Sequence, residues 1–130
     1  KLLRPGATLW LQTPNIDSVG HEQFGADWRD LDAPRHLVIF NTRTLLQLFT
    51  RLGLTPRLHR LPILPAMATH ATSEALREGR RATLSLRLTE LLRMRYLAPA
   101  LHQAWSVQHA EFITIMATKA PFTEPVTPVK

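Results

Sequence analysis

The chain contains no cysteine. That excludes a disulfide framework, a thiolate zinc site and a cysteine nucleophile, and it fits a reducing compartment such as the cytoplasm. Long apolar runs are missing as well. None approaches the roughly 18–20 residues of a membrane-spanning helix, and the first residues carry no apolar signal-peptide core. The six histidines (His21, His36, His59, His70, His102 and His109) form neither an i,i+4 pair nor an H-E-x-x-H, so zinc catalysis lacks its usual ligand spacing. Ser18, Ser73, Ser85 and Ser106 lie in no nucleophile-elbow motif, which argues against hydrolase chemistry. Internal repeats and low-complexity tracts are also lacking.

What is present fits one modest α/β domain. A length of 130 residues supports a real core but not two of them, and 45% hydrophobic with 20% charged residues is an ordinary globular balance. The net charge is +6, and 13 of the 16 basic residues are arginine. The charge is uneven. Residues 17–32 hold five acids (Asp17, Glu22, Asp27, Asp30, Asp32) against Arg29, whereas residues 35–95 hold eleven arginines against Glu74, Glu78 and Glu90. Such a basic face attracts nucleic acid or an anionic membrane surface. The plainer reading is a solvated helix face.

Along the chain, "RPGATLWLQTPN" reads as turn, strand and turn. Leu9, Trp10 and Leu11 put bulk on both faces of a strand over 7–13, and Pro14 stops it. Residues 16–35 show neither a period of 2 nor one of 3.6, which predicts a long loop. Phe24 and Trp28 argue against disorder there, so a lid or binding loop is expected. Asn41 is a good N-cap for a helix over 42–52 with Leu45, Leu48, Phe49 and Leu52 on one face, and Gly53 stands where a left-handed residue ends it. A second strand follows over 54–61, with Pro56 pointing to an edge. Residues 62–72 read as irregular, 73–78 as the start of a helix, 82–96 as a helix with a wide leucine stripe, and 99–109 as a shorter one. "EFITIMATK", 111–119, is β-branched and alternating, a third strand. The tail 121–130, with its three prolines, reads as extended. Strands alternating with helices favour a mostly parallel sheet.

Three stretches taken together, "RPGATLWLQTPN", "FGADWRDLDAPRHLVIFNTRTLLQLFTRLGL" and "EFITIMATK", resemble the C-terminal half of a class I S-adenosylmethionine-dependent methyltransferase. The match is good over 3–60, weaker over 111–119, and absent from 62–109 except as a variable helical insertion. The resemblance implies a partial Rossmann-like sheet. Strand 7–13 would be the fifth strand and 54–61 the sixth, with 111–119 the antiparallel seventh lying between them. It implies one domain over 1–120 and a tail over 121–130. It also implies the transferase activity: a methyl group passed from S-adenosyl-L-methionine to a small-molecule or lipid-like acceptor. The family's glycine-rich turn and ribose-binding acid lie upstream of its fifth strand, and no G-x-G occurs anywhere here. No cofactor-binding residue is therefore expected in this chain, the missing N-terminal half of the domain is its expected partner, and the chain by itself is expected to be inactive.

Within that frame His36 is the candidate catalytic residue. A neutral imidazole can take a proton from a hydroxyl or amine as methyl transfer proceeds. The alternative is that His36 pins the loop to backbone carbonyls, since methyl transfer needs little beyond in-line placement. Arg35 is a candidate for an anionic substrate group, or for an ion pair with Asp30 or Asp32. Phe24 and Trp28 either wall a substrate pocket or anchor the loop, and Asn15 joins them as a candidate substrate-binding residue. The competing function is a non-enzymatic basic module. Its Arg-rich helical segment, with Arg77, Arg80, Arg81 and Arg87, would contact an anionic membrane surface peripherally or, less favoured, nucleic acid.

Overall fold

A computed structural model describes residues 2–32, 34–60, 63–80, 101 and 106–121. Three strands form one sheet: β1 (Thr8–Pro14), β2 (Leu54–His59) and β3 (Phe112–Lys119), in the order β1-β3-β2. β3 pairs antiparallel with both neighbours, so β1 and β2 run parallel to each other with β3 between them. The simple alternation of strand and helix predicts a mostly parallel sheet, and the observed pairings are both antiparallel. The reason lies in where the chain re-enters. Asn15 N–H, just past the end of β1, donates to the Glu111 carbonyl at 3.0 Å, so β3 starts at the end of the sheet where β1 stops. It can only run back.

The register also explains two prolines. Asn15 N–H bonds to the Glu111 carbonyl and Lys119 N–H to the Ala7 carbonyl, so the odd-numbered residues of β1 face β3. Pro14 therefore turns its missing donor to the open edge. Alternation across β3 does the same for Pro56, whose neighbours Thr55 and Arg57 face Thr118 and Met116. Both outer edges of the described sheet carry a proline where a further N–H would stand.

Between β1 and β2 the chain forms α2 (Thr42–Arg51). The Asn41 side chain accepts from Thr44 N–H at 2.8 Å and caps it, and Gly53 (φ 72°) makes the left-handed exit into β2. α2 lays Leu45 and Phe49 on Ile113, Ile115 and Ala117, which are the core of the sheet face. The apolar stripe is narrower than its sequence suggests: Leu48 and Leu52 are 39% and 64% exposed. The opposite sheet face leaves Trp10 and its cross-strand neighbour Met116 exposed.

Two sequence expectations are corrected. Residues 16–35 are not a structureless loop but hold α1 (Val19–Phe24) and two single 3₁₀ turns, Gly25–Asp27 and Arg29–Leu31. A helix of one and a half turns leaves no readable period; a cap and tertiary contacts sustain it. Ser18 Oγ accepts from His21 N–H at 3.1 Å, and Phe24 and Trp28 are buried. Of the supposedly irregular 62–72, residues 63–72 are the first part of a continuous helix, α3 (Ile63–Arg77). Pro65 sits in its first turn, where no intrahelical N–H is required, and the small residues Ala66, Ala71, Ser73 and Ala75 are buried. The helices expected over 82–96 and most of 99–109, and nearly all of the tail, lie outside the described residues.

Candidate functional site

The segment linking β1 to α2 arches over one end of the sheet, and a single carboxylate fixes it there. Glu111, immediately before β3, is 1% exposed. Its Oε1 accepts from Gly20 N–H at 2.7 Å and lies 3.1 Å from His70 Nε2, while its Oε2 accepts from Trp28 Nε1–H at 2.8 Å. One side chain thus joins α1, the turn after it, α3 and β3. A buried carboxylate is tolerable only with such donors, and the amide of Gly20, in the first turn of α1, is a favourable one. Gly20 is required by space: a Cβ there would come within 2.4–2.8 Å of the Glu111 carboxyl group.

A second buried acid sits beside it. Asp30 is 4% exposed, pairs with Arg29 Nη1 at 2.6 Å and accepts from Thr69 Oγ1–H at 3.1 Å. Burial pushes its carboxyl above the usual aspartate range, against the pull of Arg29 and Thr69. Ser73 Oγ accepts from Arg29 N–H at 2.9 Å, so α3 holds the second 3₁₀ turn along two adjacent turns of helix.

Against this frame the candidate residues separate into two groups. Asn15, Phe24 and Trp28 are 0%, 4% and 1% exposed. Trp28 is held by Glu111; Phe24 packs edge-on against His70 at 5.4 Å, with the Arg77 guanidinium 4.8 Å from its ring centre. Asn15 Nδ2–H₂ donates to the Gln108 and Ala110 carbonyls at 2.7 and 2.8 Å, tying the end of β1 to the turn before β3. These three build the walls of the region. Arg35 and His36 are exposed. Asp32, left-handed at φ 37°, receives both the Arg35 N–H through its carbonyl and the guanidinium through Oδ2, each at 2.8 Å. That hydrogen bond holds the Asp32 carboxyl below the usual range. The chain then passes Leu37 and Val38, 89% and 64% exposed, before Phe40 bridges in parallel to Asn15 and enters α2.

Sequence reasoning missed Gly20, His70 and Glu111. Glu111 carried one legible signal, a charged residue placed at the head of a β-branched strand. His70 and Gly20 carried none, because their meaning depends on a neighbour 41 or 91 positions away. Arg77 and Arg80 are described; the rest of the Arg-rich stretch lies outside the described residues. No described helix is long and apolar enough to cross a membrane. No protein-family model, curated protein or solved structure matches the chain.

Proposed function

We propose that this chain is the acceptor-side part of a class I S-adenosylmethionine-dependent methyltransferase domain, acting on a small-molecule or lipid-like acceptor. The observation that carries the reading is the strand arrangement: two parallel strands joined through α2, with a later antiparallel strand between them. It is the arrangement that the family resemblance of the sequence implies for a fifth, seventh and sixth strand. The resemblance and the strand order are separate supports, since one is a pattern of residues and the other a pattern of backbone pairing.

In this reading the two exposed residues, Arg35 and His36, face the acceptor, while Asn15, Phe24 and Trp28 hold the arch that carries them. The chain has no glycine-rich phosphate turn and no G-x-G, so its residues do not fit the nucleoside part of the methyl donor. That task belongs to the other half of the domain, and no step is assigned to the donor here. His36, exposed, is free to take a proton from an amine or hydroxyl.

The test is a methyl-transfer assay on the natural gene product, together with the coding sequence upstream of Lys1. A strand, glycine-rich turn and helix encoded there in frame, with incorporation of labelled methyl that falls at least tenfold in His36→Gln, is the expected result. An upstream sequence without that pattern removes the main support for the reading. Undiminished transfer in His36→Gln removes only the role of His36.

A further inference from the structure

A cleft of about 590 Å³ opens at the same end of the sheet, and none of the candidate residues above lines it. Its size is in the range of small-molecule sites, and it lies at the carboxyl ends of β1 and β2, where the chain leaves a sheet and ligands commonly bind. We infer that this cleft is a binding site for a small zwitterionic molecule, one carrying both a carboxylate and an amine.

The lining supplies both halves of that chemistry. Arg43, Leu46 and Gln47 stand at i, i+3 and i+4 and so share one side of α2. Asp17 and His109 face them from the turns after β1 and before β3. Neither the Arg43 guanidinium nor the Asp17 carboxylate has an ion-pair or hydrogen-bond partner among the described residues, so neither is committed within the protein there. His109 Nδ1 lies 3.1 Å from the Asp17 carbonyl. A carbonyl only accepts, so Nδ1 carries the proton, and Nε2 of the neutral ring is an acceptor. Leu46 and Leu58 add apolar surface to the lining.

One feature marks the cleft as built. The turn holding His109 is fixed to the turn holding Asp17: Val19 N–H donates to the His109 carbonyl at 3.2 Å, and Asn15 clamps the carbonyls on either side of it. The wall is thus rigid before any ligand arrives, which lowers the ordering cost of binding.

This inference goes beyond the methyltransferase reading and is tested without a methyl donor, so the two fail separately. The probes are 4-aminobutyrate, which carries both charges, and acetate and propylamine, which carry one each. They are titrated into the isotopically labelled chain and followed by amide shifts. The expected result is saturable movement of the Asp17, Arg43 and His109 amides with 4-aminobutyrate, at an affinity at least tenfold above that of either single-charge probe. Arg43→Ala and Asp17→Asn, both exposed positions, should each weaken it about fivefold, the upper scale of one exposed ion pair. Arg51→Ala, at the far end of α2, should leave it unchanged. Absence of saturable movement at these amides, acetate binding as tightly as 4-aminobutyrate, or unaltered affinity in Arg43→Ala and Asp17→Asn would each overturn the inference.

Discussion

Replacing Gly20 by alanine puts the account of the arch under direct strain. The added methyl would stand 2.4 Å from Oε1, 2.6 Å from Oε2 and 2.8 Å from Cδ of Glu111. A flexible carboxylate at a surface would swing aside at little cost. This one is 1% exposed and already bonded to Trp28, with His70 3.1 Å away, so moving it breaks those contacts. Losing hydrogen bonds to a buried charge costs about 1.5–3 kcal/mol each, and leaving that charge poorly paired adds to it. Some relaxation of α1, a short helix, offsets part. The expected destabilisation is therefore about 3 kcal/mol. With a urea m-value near 1.5 kcal/mol/M for a domain of this size, the unfolding midpoint should fall by about 2 M. Urea titration followed by circular dichroism measures it, with Gly25→Ala as a contrast: a Cβ there meets nothing within 4 Å, and any cost comes from its positive φ of 56°, a strain that helical Gly20 does not have. A Gly20→Ala midpoint within about 0.3 M of wild type, roughly 0.5 kcal/mol by the same slope, would refute the claim that Glu111 is locked in place.

Three further outcomes follow from the same geometry. Asn15→Ala removes both donors to the Gln108 and Ala110 carbonyls and should cost about 2–3 kcal/mol in denaturant unfolding. The Asp30 carboxyl has its folded pKa raised by burial, so the folded state holds its proton more readily than the unfolded one. Its contribution to stability is therefore lost as pH rises from the unfolded aspartate value through the folded one, and the difference in stability between wild type and Asp30→Asn should change across that window and level off above it. Asp32 is shifted the other way: Arg35→Ala should raise its carboxyl pKa toward 3.8, measured by carboxyl-carbon titration, and should leave the unfolding midpoint nearly unchanged because the pair is exposed.

Much of the sheet was legible because its signals are local. Asn41, the Leu45 and Phe49 spacing and Gly53 mark α2 by chemistry that acts within a few residues. The alternation of β3 shows in its buried Ile113, Ile115 and Ala117. α1 and α3 were not legible, for different reasons. α1 has too few residues for a period and stands on contacts with Glu111, which no local rule connects to it. The first part of α3 mixes proline, threonine and histidine, all weak helix formers. Its buried residues are mostly alanine, serine and threonine, with Met67 and His70 among them, so it lacks the bulky stripe by which helices are usually recognised. Among the site residues, the sequence marked out the Pro34–Arg35–His36 turn and its aromatic neighbours. It left open whether Phe24 and Trp28 wall a pocket or anchor the arch; their burial shows the anchoring contacts. The Arg35 ion pair with Asp32 is one of the two alternatives its acidic neighbours offered.

Titration of S-adenosylmethionine into the natural gene product by calorimetry, beside the chain from Lys1 to Lys130 alone, asks whether the methyl donor is held and by which residues. Micromolar binding by the first and none by the second is expected, because the proposed reading assigns nucleoside binding to residues outside these 130 positions. A gene product that does not bind S-adenosylmethionine, or a 130-residue chain that binds it equally well, would contradict it.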